Sequence, residues 1–260
     1  MGTDGLWARL RGGAKGVVLG VMDSATGLLW PPVGVGDEGE AAWEALFARA
    51  KQAGLDLDGL RGVTSDGATG LGRYLVRGLW WVNHQRCVWH VWRQLGGEVR
   101  ARAAAAAVGL VGAAATARRR QAQRELGGLV RAALDAASAA AAQQALASLA
   151  AHPLGARLAA LVAAELDALR IYRGSFNCGL LRVGPAWYWR DFRLRLSHGR
   201  NHGSSARLER AALVWAIARN FTPAQRRSER KRHYRAPGQS PLQRAGLAPE
   251  GISYLDALAV

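Results

Sequence analysis

Between residues 101 and 170 the chain changes character abruptly: 22 of the 50 residues from 101 to 150 are alanine. Alanine has the highest intrinsic helix propensity and is depleted from strands, so this stretch can contribute helices but not sheet. Leucines at 149, 154, 158, 161 and 166 supply an apolar face, which a featureless linker would lack. Helix breaks are expected near residues 109–112, 127–128 and 152–155, where glycines or a His-Pro pair interrupt the pattern. The stretch reads as a helical insertion. It divides the chain into a first part of the core at 1–100, the insertion at 101–170 and a final part at 171–260.

The flanking segments follow a different rule. Residues 4–37 alternate short apolar runs with turns, ending in the turn SATG and the run LLWPPVGVG, which predicts an antiparallel start. Residues 37–54 place Trp43, Leu46, Phe47 and Ala50 at helical spacing behind an acidic first turn. LRGVTSD at 60–66 reads as a buried strand ending in an aspartate. Residues 67–83 read as a helix returning to a short strand near Trp80 to Val82, and HQRCVWHVWRQL opens another helix. Strands and helices mixed in this order predict an α/β core.

Lys and Arg total 35 against 19 Asp and Glu, a formal charge of +16. Residues 171–235 alone carry 15 basic and three acidic residues, so the excess is concentrated in the last third. A polyanionic partner is the expectation. WYWRDFRLRLSHGRNHGS at 187–204 and QRRSERKRHYR at 225–235 are the candidate phosphate-contacting segments, through Arg193, Arg195, Arg226 and Arg227. Two cysteines, Cys87 and Cys178, make no disulfide framework and suit a reducing, cytoplasmic compartment. No run of apolar residues is long enough to read as a membrane span.

Two carboxylates stand out chemically. Asp66 ends a predicted central strand and Asp4 lies in the first strand region; each is followed by glycine. Aspartates brought together from separate strands can hold divalent metal ions at a phosphate, while single aspartates more commonly cap turns. Asp23, in VMDSATG, fits the turn role. Cys87 and His90 are three apart on one helical face, a spacing that suits zinc but supplies only two ligands. His84 and Gln85, just ahead of them, are placed to contact a phosphate or orient a carboxylate.

The segments TDGLWARLRG, GVVLGVMDSATG, GDEGEAAWEALFARAKQAGL, RGVTSDGATGL and HQRCVWHVWRQL together resemble the Mutator-type transposases, a class of DDE-type DNA transposases. Downstream, RNHGS, WAIARNFTPAQRRSERKRHYR and SPLQRAG are similar to that family's end region. The resemblance implies a ribonuclease H-like mixed sheet with a helical insertion and a basic helical C-terminal region. It implies DNA strand cleavage and strand transfer with Mg²⁺ or Mn²⁺ held by Asp4 and Asp66, and His84, Gln85, Cys87 and His90 as a motif beside the site. The implied partners are double-stranded DNA, as element ends and target, and further copies of the chain in a homo-oligomer.

The chain departs from the family pattern at two places. The third carboxylate is expected about 14 residues before Asn201, near Ala186, where no acid stands; Asp191 and Glu209 are the nearest. A helical position moved by five residues is displaced by about 7 Å, too far for a metal ligand. Only three residues precede Asp4, so the resemblance implies a shortened, decayed transposase. The alternative is a nonenzymatic DNA-binding remnant.

Overall fold

A computed structural model describes residues 1–166, 169, 189, 191–194, 202–223, 238–247, 251–252 and 257. The chain forms two compact units, one from Met1–His84 with Gly179–Val260 and the other from Gln85–Cys178.

The first unit is built on a five-stranded sheet, in the order β3-β2-β1-β4-β5. β1 (Gly2–Arg9) and β2 (Lys15–Met22) form a hairpin, paired from Gly2 with Met22 to Arg9 with Lys15. Gly12 and Gly13, both at positive φ, turn the chain between them. β3 (Val33–Val35) adds antiparallel to β2, and β4 (Gly62–Ser65) lies parallel to β1. β5 (Asn83–Arg86) follows the expected helix, three residues beyond the Trp80 to Val82 position that the sequence suggested. Residues 80–82 form a turn instead, with Trp80 77% exposed, because Leu79 and Val82 alone supply the buried anchors there.

Alternation along the strands assigns the two faces. Val17, Leu19 and Val21 face α1 (Glu40–Gln52) and α2 (Thr69–Gly78), packing with Trp43, Leu46, Phe47, Leu71 and Tyr74. On the opposite face Leu6, Val18 and Met22 pack with Trp189, Phe192 and the helix Ser205–Phe221 through Leu208, Ala212 and Ala216. That helix is pinned at both ends. Asn220 accepts from Leu29 N and donates to Leu29 O, at 2.9 and 2.8 Å. Near its start Glu209 accepts from Gly34 N at 2.7 Å and from Arg49.

Glu209 is therefore occupied in holding β3 rather than free to complete a metal site. Glu209→Ala leaves the Gly34 N–H without its acceptor and should cost about 1–2 kcal/mol in denaturant unfolding. Glu209→Gln, which keeps an acceptor, should recover about half of that. The turn reading of Asp23 is matched by its bonds from Ala25 N, Thr26 N and Thr26 Oγ1.

The second unit contains α3 (Val88–Ala105), α4 (Gly112–Asp135), α5 (Ala139–Ala151) and α6 (Ala156–Leu166). Val91, Leu95, Leu126, Val130, Leu149, Leu158 and Val162 form its core. Breaks occur near 109–112 and 152–155 as expected, but α4 runs unbroken through Gly127 and Gly128. Buried Ala122, Leu126, Val130 and Ala133 anchor it on both sides of the glycines, so tertiary packing offsets their poor propensity. The interruption falls instead at residues 136–138, where the Ser138 hydroxyl accepts from Ala141 N and caps α5.

Candidate metal centre

Strand register brings the two sequence-selected aspartates together. Gly2 pairs with Thr64 across parallel strands β1 and β4. Asp4, on β1, and Asp66, just past the end of β4, each lie two residues beyond that pair, where the neighbouring strands run about 4.8 Å apart. Asp66 stands immediately after β4, its Oδ1 accepting from Ala68 N at 3.1 Å. Gly67 follows at φ 93°, a conformation that glycine adopts without strain, and turns the chain into α2.

Asp4 is only 7% exposed. Its Oδ1 accepts from Gly5 N at 2.9 Å, and its backbone oxygen accepts from Trp189 Nε1 at 3.1 Å. Gly20, paired with Asp4, makes room for this indole: a Cβ there would lie 2.6 Å from Trp189 Cζ2. Burial, then the neighbouring Asp66 charge, push the Asp4 carboxyl up to about 8; the Gly5 N–H opposes this, Glu38 adds to it and Arg193 opposes it.

Glu38, absent from the sequence-selected set, is the third acid of this neighbourhood. A Cβ on Gly5 would meet its Oε1 at 1.9 Å, so the carboxylate sits directly over the Gly5 backbone. Its carboxyl is also raised, by burial and then by Asp66, against a hydrogen bond from Trp7. In the sequence, Glu38 reads as one of several acids at the start of a helix; only the fold brings that loop over β1. Among the described residues no three His, Cys, Asp or Glu side chains are gathered to hold a metal ion. Asp4 and Asp66 are thus a pair of neighbouring carboxylates, with Glu38 as a nearby charge.

Of the remaining candidates, His84 orients the aspartate loop. Its Nε2 is 2.7 Å from Ser65 Oγ, which accepts from Gly67 N at 3.0 Å, so β5 braces the residues on either side of Asp66. In the second unit, Gln85 is buried at 1% exposure, and neither of its amide atoms is hydrogen-bonded among the described residues. Cys87 is buried at the N-cap of α3, and His90 packs edge-on against Trp89 in the first turn. Arg193 is exposed on the short helical stretch 191–194 and is felt electrostatically at Asp4. Arg195, Arg226, Arg227 and Cys178 lie outside the described residues.

Residues 29–112 match a model built on transposases. The family is the Mutator family, and the match includes Glu38, Asp66, His84, Gln85, Cys87 and His90. No curated protein matches the chain. No helix among the described residues is long and apolar enough to cross a membrane.

Proposed function

We propose that the chain is a transposase with a ribonuclease H-like core whose Asp4 and Asp66 hold Mg²⁺ or Mn²⁺ for DNA strand cleavage and strand transfer. The observation that carries this reading is the β1–β4 register, which sets the two aspartates side by side. The sheet order and the family match support it. The donor set fits: Mg²⁺ is commonly bound by one or two carboxylates with water and phosphate oxygens completing the shell. A bound ion would neutralise phosphate charge and activate water or a 3′-hydroxyl for in-line attack. The chain's own part is to surrender the Asp4 proton, to hold Asp66 through the Ser65–His84 brace, and to place the DNA backbone with basic residues such as Arg193.

The double-stranded DNA partners are element ends and target, engaged by a homo-oligomer in the cytoplasm. The alternative, a DNA-binding remnant without catalysis, draws support from Arg193: the stretch after Trp189 brings a guanidinium into electrostatic range of Asp4.

Titration calorimetry with Mn²⁺ tests the first reading. Saturable binding is expected to tighten as pH rises from 6 to 8 and to release a proton, because Asp4 must ionise to ligate. Asp66→Asn should weaken it at least tenfold. A folded parent that binds no Mn²⁺ would favour the remnant.

A further inference from the structure

The second unit contains a basic groove that plays no part in the metal chemistry. It has a volume of about 440 Å³ and lies between α3 and α4, lined by Trp92 and by Arg120, Arg124, Gly127, Gly128 and Arg131. At 100° per residue, the α4 positions share one side of the helix, and Arg120 and Arg131 differ by only about 20° around its axis. None of the three arginines has a carboxylate partner among the described residues. The nearby acid Glu125 is turned to Gln121 and His152 instead. Three cations thus line one groove.

Two details suggest a bound polymer rather than a solvated face. The Arg131 guanidinium carbon lies 5.0 Å from the centre of the Trp92 ring, which favours one placement of the fork before any ligand arrives. Gly127 and Gly128 are poor choices for the middle of a 24-residue helix, and packing does not demand them. A Cβ at 128 would meet nothing within 4 Å, and one at 127 would only touch Trp92 at 3.6 Å. Their effect is to keep the groove wall low, so that a ligand can approach the helix backbone closely.

Length selects the ligand. Arg120 to Arg131 spans about 16 Å along the helix, whereas phosphates in one strand of duplex DNA advance about 3.4 Å each along its axis. A single phosphate or nucleotide cannot use such a row; a sugar-phosphate backbone can. We infer that this groove is a second DNA-backbone site, in which Arg120, Arg124 and Arg131 hold phosphates spaced along one duplex strand. The choice of DNA rests on the transposase reading above.

The test is fluorescence anisotropy of the whole protein with a labelled 30-base-pair duplex across a salt series, in chelator so that the aspartate centre plays no part. Replacing Arg120, Arg124 and Arg131 together by glutamine should weaken binding at least tenfold near 100 mM salt. It should also lower the slope of log K against log salt by about 2.7, roughly 0.9 for each lost phosphate contact. Gly127→Leu keeps every charge but fills the groove against Trp92; it should weaken binding several-fold while thermal unfolding holds or rises. Unchanged affinity and slope in both variants would overturn the site, as would a parent that binds no duplex or prefers RNA of the same sequence. Loss of Mn²⁺ binding with duplex binding intact would sink the metal reading alone and leave the groove standing.

Discussion

Replacing Asp4 with asparagine should stabilise the metal-free protein at pH 7 by roughly 4 kcal/mol, an unusual gain for a buried position. Burial, and then the Asp66 charge, push the folded Asp4 carboxyl up to about 8 from its ordinary value of 3.8. Between those values the folded state holds a proton that the unfolded state has released. The stability this group confers is full below about pH 4, declines as pH rises, and is lost once pH passes through about 8. Asparagine removes the dependence, since it has nothing to ionise beside Asp66 and Glu38. Urea unfolding of both proteins in chelator, at intervals from pH 5 to pH 9, should give curves that diverge with rising pH. Parallel curves would refute the buried, proton-holding Asp4.

The same cost has a functional sense. A site that is destabilising when empty and ionised gains most from a cation, so Mn²⁺ should raise the parent's unfolding temperature more at pH 8 than at pH 6. Asp4→Asn should abolish most of that rise.

Which parts of this were legible beforehand follows from the range of the contacts involved. The hairpin, α1 and the strand ending at Asp66 are written in local alternation and helical spacing, and Asp4 and Asp66 in the motifs beside them. Glu38 was hidden because its position depends on a loop crossing β1, and nothing in GDEGE separates an acid that favours a helix start from one lying over a strand. Glu209 was ambiguous for a similar reason: its bonds to Gly34 and Arg49 span 175 and 160 residues. The α4 glycines show the converse limit, where local propensity points to a break and a buried stripe carries the helix through.

A matched pair of glycines in α2 provides the sharpest test of how the aspartate loop is held. Gly72 and Gly70 both lie in Thr69–Gly78, two residues apart. A Cβ at Gly72 would meet nothing within 4 Å, so Gly72→Ala should gain about 0.5–1 kcal/mol from helix propensity alone. A Cβ at Gly70 would come within 2.0 Å of the Glu38 carbonyl oxygen and 2.8 Å of the Gly39 carbonyl carbon. These are backbone atoms, which cannot swing aside as a side chain would. The start of α2 must then move away from the loop before α1, and overpacking of this kind costs about 1–3 kcal/mol or more. The two alanine variants should therefore shift the urea midpoint in opposite directions, their stabilities differing by about 1.5–4 kcal/mol. Because Gly70 follows Asp66 by four residues and abuts Glu38, Gly70→Ala should also weaken Mn²⁺ binding, while Gly72→Ala leaves it alone. If both variants raise the midpoint, α2 does not approach the Glu38 backbone so closely, and the packing that sets Glu38 beside the aspartates is refuted with it.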